Sequence, residues 1–356
     1  MQQNNEVLDL VVAKENRIEW VDALKFIGIF FIYIAHFGEN SGKLCLYAYA
    51  FHVPLFFFVS GFFSLKHKDD SLIIYFFNKI KTILLPYLVF SILTIIVLTL
   101  QKNCIPIPTK QVFREITFGM RNQLFASQLW FFPCLFIVEI LFELLLKVLR
   151  NKYAVLGACI AIFFVAECSF YESYLILPRL WFNIDAAFHY LLYYAIGAAS
   201  FNFLTTYYFY NKRITSKIIY MCIVMCSILI AAIVFFEKDL WIKNIFLQVP
   251  LGKSLYSLFI ALNLIFLHVL VAKKITKIKL ICDIGKNTLW LCGNETIVKI
   301  IVPTIISVFG LYTSIATPLH TIIYSFLLLI FAQIIIIPVQ KSIIGNLFSP
   351  FHKNKV

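Results

Sequence analysis

Between residues 20 and 338 the chain is divided into apolar windows of about 20 residues, the length an α-helix needs to cross the hydrocarbon core of a bilayer. Ten such windows are read, near 20–38, 46–65, 82–100, 127–149, 153–170, 184–204, 217–236, 254–272, 287–310 and 315–338. Backbone groups in lipid must be satisfied within the spanning segment, so windows of this length predict helices rather than open strands. The expected fold class is all-α: one polytopic membrane bundle over residues 1–356, with a short polar segment at 1–16 and a tail at 339–356. A chain that is 61% hydrophobic and 14% charged cannot bury its apolar groups in a soluble core. The ninth window is the least regular, since Asn294, Glu295 and Lys299 fall inside it and Pro303 would kink it. No internal repeat, no low-complexity tract and no paired interrupted helices of the kind that mark inverted-repeat transporters are read.

The basic residues set the orientation. Twenty of the 31 Lys and Arg residues lie on connections that share a side with the N-terminus, and nine lie on the opposite connections. By the positive-inside rule both termini are expected in the cytoplasm. The same distribution accounts for the net charge of +13 without a clustered basic face, so no nucleic-acid partner is expected. The nine cysteines are scattered, and Cys222 and Cys226 are spaced as helix neighbours, which points to packing rather than metal or redox chemistry. The first 16 residues lack the short apolar region and cleavage site of a removed signal peptide.

Charge interrupts the first window at Asp22, Lys25 and His36. Lys25 and His36 are 11 residues apart, within about 20° of three full helical turns, and Asp22 lies about 40° off the same face. The three therefore form one stripe, with lysine and histidine about 16 Å apart along the axis. A neutral imidazole in the outer half of the membrane can take a proton from an attacking hydroxyl, and the bland alternative is a hydrogen bond pinning two helices. Asp22 can neutralise Lys25 at i, i+3, so a purely structural ion pair competes with a catalytic role for both.

Other candidates flank this stripe. His52 in FHVPLFFFVSG precedes Pro54 and is read as a second polar wall of the same cavity or as an interfacial histidine. Ser60 and Gly61 suit close helix packing, and Ser60 is also a candidate for the donor site. Lys79 and Lys81 stand at the inner mouth of the third window, where topology explains them and donor phosphates offer a second use. Trp130 in QLWFFP is a belt residue or a substrate contact. Glu139 and Glu143, Asp185 and His189, and the neighbours Asn294 and Glu295 must each face protein or water.

With these residues in view, the chain resembles the membrane acyltransferase-3 family, which includes O-acetyltransferases of surface polysaccharides, and in particular its fucose 4-O-acetylase-like members. The family's opening pattern of a basic residue, ten residues and a histidine stands here as K-FIGIFFIYIA-H, with Lys25 where arginine is common. FHVPLFFFVSGFF, KIKTILLPYLVF and QLWFFPCLF match later signatures in order, and IGKNTLWLCGNE matches a stretch that often ends in histidine, replaced here by Glu295. The resemblance implies a multi-pass bacterial plasma-membrane enzyme that moves an acyl group, usually acetyl, from cytoplasmic acetyl-CoA to a glycan or lipid-linked sugar hydroxyl. It implies catalytic roles for His36, Lys25 and Asp22, donor contacts at Lys25, Lys79, Lys81 and Ser60, and acceptor contacts at His52, Trp130, Glu139 and Glu295. A homo-oligomer is compatible with it. The competing reading is a transporter or flippase of a lipid-linked glycan, which would also need a polar cavity.

Overall fold

A computed structural model describes residues 17–64, 71–101, 109–170, 180–207, 224–233, 235, 250–310 and 315–349, and among them every regular element is helical. In chain order they are α1 (Glu19–Ala35), α2 (Lys43–Tyr49), α3 (His52–Gly61), α4 (Leu72–Leu100), α5 (Thr109–Phe118), α6 (Ser127–Leu149), α7 (Lys152–Phe170), α8 (Ile184–Asn202) and α9 (Val224–Ile233). They continue with α10 (Pro250–Ile275), α11 (Lys279–Lys286), α12 (Thr288–Gly293), α13 (Glu295–Val308) and α14 (Pro318–Phe348). Six stretches among the described residues are long and apolar enough to cross a membrane: the α2–α3 pair, α4, α6, α7, α10 and α14. The chain is a multi-pass membrane protein.

Comparison with the ten windows is instructive. The fourth, fifth, eighth and tenth coincide with α6, α7, α10 and α14, although α14 runs on to Phe348. The third begins earlier, at Leu72. The first yields a helix of 17 residues, and the sixth yields α8, whose Asp185, His189 and three tyrosines make it the more polar kind of span. Much of the seventh, 217–236, lies outside the described residues, as do 1–16 and the end of the tail.

Two of the apolar stretches are interrupted, although no paired interrupted helices are read from the sequence. Residues 279–308 form three pieces, with breaks at Asn287 and Asn294. The Asn294 amide donates to the Trp290 carbonyl at 2.9 Å, sharing that acceptor with its own backbone N–H, the local competition that makes asparagine a helix breaker. Both asparagines are tied to α14: Asn294 and Gln340 exchange amide hydrogen bonds of 2.6 and 2.8 Å, and Asn287 donates to Gln333 at 2.9 Å. The second break, between α2 and α3, falls at Phe51, after which the buried His52 donates from Nδ1 to the Ala48 carbonyl at 2.6 Å. The imidazole thus joins the Phe51 N–H, 3.1 Å away, as a second donor to the carbonyl at the break. Elsewhere the chain keeps going by widening: π-turns at Ile80–Leu84 and Ala332–Ile336 stand just before Pro86 and Pro338. A proline removes one N–H and crowds the carbonyl four residues back, and a wider turn absorbs both.

The bundle closes around α1, which packs against α3, α10, α11, α12 and α14. Glycine permits the closest approaches. Gly61 of α3 lies against the backbone of Tyr194, and Gly197 of α8 lies against the backbone of Phe58, so the α3–α8 crossing rests on a reciprocal pair. An alanine at 197 would overlap the Phe58 carbonyl oxygen and force the two helices apart. Gly197→Ala is expected to destabilise the folded protein by about 1–3 kcal/mol, the usual range for overpacking. Gly157→Ala on α7, where an added methyl meets open space, is the control. Thermal unfolding of the two variants in the same detergent checks this, and equal midpoints would refute it.

Candidate active site

The stripe on α1 borders one cavity of about 290 Å³, with Lys25, Ile32 and His36 all in its lining. The opposite wall comes from α3 through His52, Phe56 and Ser60, and from the segment 121–135 through Arg121, Gln128, Trp130 and Phe131. Thr288, Leu289 and Cys292 of the broken helix complete it. Five candidates named from the sequence, Lys25, His36, His52, Ser60 and Trp130, therefore meet at one site.

At one end, the buried Asp22 carboxylate lies between two cations, 2.7 Å from Arg17 Nε and 3.1 Å from Lys25 Nζ. The pairing considered for Asp22 and Lys25 is present, but one carboxylate faces two cations, which leaves a net charge of +1. Helix geometry puts Lys25 one turn after Asp22, and α1 starts here because the chain enters extended at Ile18.

At the other end, His36 terminates α1, its backbone N–H bonded to the Ile32 carbonyl at 3.1 Å. Ser41 donates to the Ile34 carbonyl and satisfies another open end of the helix. His36 Nδ1 lies 2.7 Å from Glu295 Oε1, and Lys299 Nζ reaches the same oxygen at 2.7 Å. Glu295 is 2% exposed at its side chain, while His36 keeps 23% toward the cavity side. Lys299 is held further by the Tyr33 carbonyl at 3.4 Å and by the face of Phe37 at 4.5 Å. A carboxylate paired with lysine accepts hydrogen bonds only, so the proton of a neutral His36 sits on Nδ1 and the basic lone pair on Nε2. The break at Asn294 starts α13 at Glu295, and the Tyr33 hydroxyl donates to the Leu291 carbonyl at 2.9 Å, fixing the two pieces to α1.

Three expected site residues lie elsewhere. Lys79 pairs with Glu139 at 2.6 Å, and neither they nor Lys81 border the cavity. Glu143 pairs with Lys147 at 3.4 Å. Asp185 and His189 share a helix face without pairing: Asp185 Oδ1 accepts from the Ala186 N–H at 3.0 Å, whereas His189 Nδ1 meets Glu167 at 2.5 Å, with Ser254 on the other oxygen of that carboxylate.

Lys299, Arg121 and Gln128 were not singled out from the sequence. Lys299 carried a signal, since a charge inside an apolar window demands a partner, and Glu295 is its i, i+4 neighbour. Arg121 sits in a polar connection where such a residue is ordinary, and Gln128 is the second residue of the window at 127–149, where an amide at the end of a span is ordinary too. The Arg121 guanidinium lies over the Trp130 ring, 4.8 Å from its centroid, and Gln128 is 5% exposed.

Residues 18–337 match a family described as an acyltransferase domain, numbered three among the acyltransferase families. No curated protein and no solved structure matches the chain.

Proposed function

The chain belongs to the acyltransferase-3 family, and on that premise we propose that it transfers an acyl group, most simply acetyl, from cytoplasmic acyl-CoA to a hydroxyl of an exported or cell-surface glycan. The observation that carries this reading is the Glu295-oriented His36 on the border of a cavity that also holds Lys25. At about 290 Å³ the cavity lies at the low end of ligand pockets, suited to the thin arm of a thioester with its nucleotide left outside. The net positive charge shared by Arg17, Lys25 and Asp22 favours the donor's phosphates at that end. Lys79 is already neutralised by Glu139, so the phosphate role expected for it is assigned to Lys25 instead.

His36 Nε2 removes the proton of the acceptor hydroxyl as its oxygen attacks the thioester carbonyl carbon. The new C–O bond forms, the C–S bond breaks, and the departing thiolate takes the proton from the imidazolium. A variant of this route places the acyl group on Nε2 first and passes it to the hydroxyl in a second step. Ser60 and His52 line the path between the two ends, and Trp130 offers an aromatic face to the acceptor sugar. The Lys and Arg asymmetry over the ten windows favours both termini in the cytoplasm, an orientation with Lys25 on the donor's side and His36 toward the outer leaflet of the cell membrane.

The purified protein in lipid vesicles, given acetyl-CoA and an isolated surface glycan, should add acetyl to the glycan and release CoA, read by mass analysis. Absence of both products under conditions where the protein is folded would overturn the proposal. Lys25→Ala is expected to raise KM for acetyl-CoA about tenfold, the loss of one charge-assisted contact, while Lys25→Arg retains donor use. If both substitutions behave alike, Lys25 is only the partner of Asp22. A glycan transporter is the second reading, favoured by the interrupted helices beside the cavity. It predicts glycan movement that acyl-CoA does not affect.

A further inference from the structure

The outer wall of the cavity carries a cation without a carboxylate and a buried amide donor without an acceptor among the described residues. Several cations near the interior have a carboxylate: Lys25 has Asp22, Lys79 has Glu139, Lys147 has Glu143 and Lys299 has Glu295. Arg121 lines the cavity with no carboxylate in ion-pair reach among the described residues, its guanidinium stacked on Trp130 and beside the Tyr190 hydroxyl. Seven residues on, Gln128 is buried, and its carbonyl oxygen accepts from the Thr296 hydroxyl at 3.0 Å. Its Nε2 has no partner among the described residues. A buried amide donor left open is costly unless a ligand completes it, and a guanidinium that borders a cavity without a carboxylate favours an anion there.

Loop geometry holds this wall in place. The Arg121 backbone N–H donates to Asn183 Oδ1 at 2.7 Å, and Asn183 Nδ2 donates to the Gly119 carbonyl at 2.8 Å. Asn183 and the preceding Phe182 are themselves in the left-handed region, at φ of 56° and 53°. The wall is therefore built before any ligand arrives. It offers an aromatic face and a planar cation to the same volume that His36 borders, with the buried Gln128 amide beside them.

We propose that Arg121 and Gln128 select an acidic acceptor, a sugar bearing a carboxylate or phosphate ester close to the hydroxyl that is acylated. This deepens the acyl-transfer reading and rests on it for the reaction, though not for binding. An acceptor-only anionic group supplies the counter-charge that Arg121 lacks and accepts from the Gln128 amide once that side chain turns to it, and Trp130 stacks on the apolar face of the ring that carries it. A neutral sugar would leave the guanidinium without a counter-charge in a cavity whose other wall is largely aromatic.

Two measurements on the purified full-length protein test this. Binding of methyl glucuronide, glucose 6-phosphate and methyl glucoside is followed by tryptophan fluorescence, and acetyl transfer to each is followed with acetyl-CoA. The expected result is a preference of about 10- to 100-fold in Kd and kcat/KM for one or both anionic probes, the range for charge-assisted hydrogen bonds. The two anionic probes distinguish carboxylate from phosphate. Arg121→Gln should erase the preference and Arg121→Lys should restore part of it. Gln128→Ala should reduce the preference too. Equal binding and transfer for all three probes overturns the inference while leaving acyl transfer intact. Acidic-probe binding that depends on Arg121, with no transfer to any probe, sustains the inference and refutes the reaction. Equal losses toward neutral and acidic acceptors in Gln128→Ala would assign that amide to the reacting carbonyl and overturn its role here.

Discussion

Acyl transfer by the His36→Ala protein is expected to fall by about 100- to 10,000-fold, the range a positioned general base contributes. The backbone around it does not need the imidazole: the residue caps α1 through its main-chain N–H to Ile32, which alanine keeps. Loss of activity should thus come with near-native thermal unfolding. Replacement does free Glu295 from one partner, but Lys299 remains on the same oxygen at 2.7 Å, so the carboxylate is still compensated. Turnover of acetyl-CoA and glycan by the purified variant is the measurement. Retention of most of the rate would remove His36 from the chemistry and return it to the role of a helix pin.

Glu295→Gln should have two separable effects. The amide can donate to His36 Nδ1, which favours the opposite tautomer and places the proton on Nε2, where the lone pair is needed. Transfer should fall by about 100-fold or more, in line with the cost of disturbing a base's orienting partner. Lys299 meanwhile loses its carboxylate in a setting where its ammonium meets the Tyr33 carbonyl and the rings of Tyr33 and Phe37. Breaking a buried pair on one side costs about 3–5 kcal/mol, and the partial exposure of Lys299 puts the expected loss at the lower end. Adding Lys299→Met should recover stability without recovering activity. If the double variant regains activity as well, Glu295 serves the fold and not His36.

The parts of this structure that were legible in the sequence are those governed by spacing along one helix. An 11-residue interval put Lys25 and His36 on one face, and both line the cavity. The window at 127–149 became α6 over the same residues because nothing within it competes with the helix. Long-range pairing was not legible. Glu295 meets His36 across 259 residues, and periodicity says only that each needs a partner. Lys79 and Lys81 looked like an entry to the third window, yet α4 begins at Leu72 because Ser71 caps it and Glu139 neutralises Lys79 from another helix. The interruption at Asn294 was invisible as a break, since asparagine inside an apolar stretch signals polarity without saying whether the helix bends, kinks or restarts. Arg121 was hidden by its address in a polar connection, and Gln128 by its place at the very start of the window at 127–149.

The amide ladder between the broken helix and α14 works as a vernier. Its rungs are 287 to 333 and 294 to 340, the same offset of 46 residues on both, so the two helices are keyed at points one heptad apart. Sliding one helix past the other by a turn would strand the side-chain amides of both rungs in a medium with no water to take them. The height of Glu295 opposite His36 is therefore set by two amide contacts that lie outside the cavity lining, of which the Asn287 rung is reinforced by the Lys341 ammonium at 2.5 Å. A single residue inserted between 287 and 294 would leave hydropathy and charge unchanged, yet it would throw one rung out of step and carry the carboxylate about 1.5 Å along the axis and a quarter-turn around it.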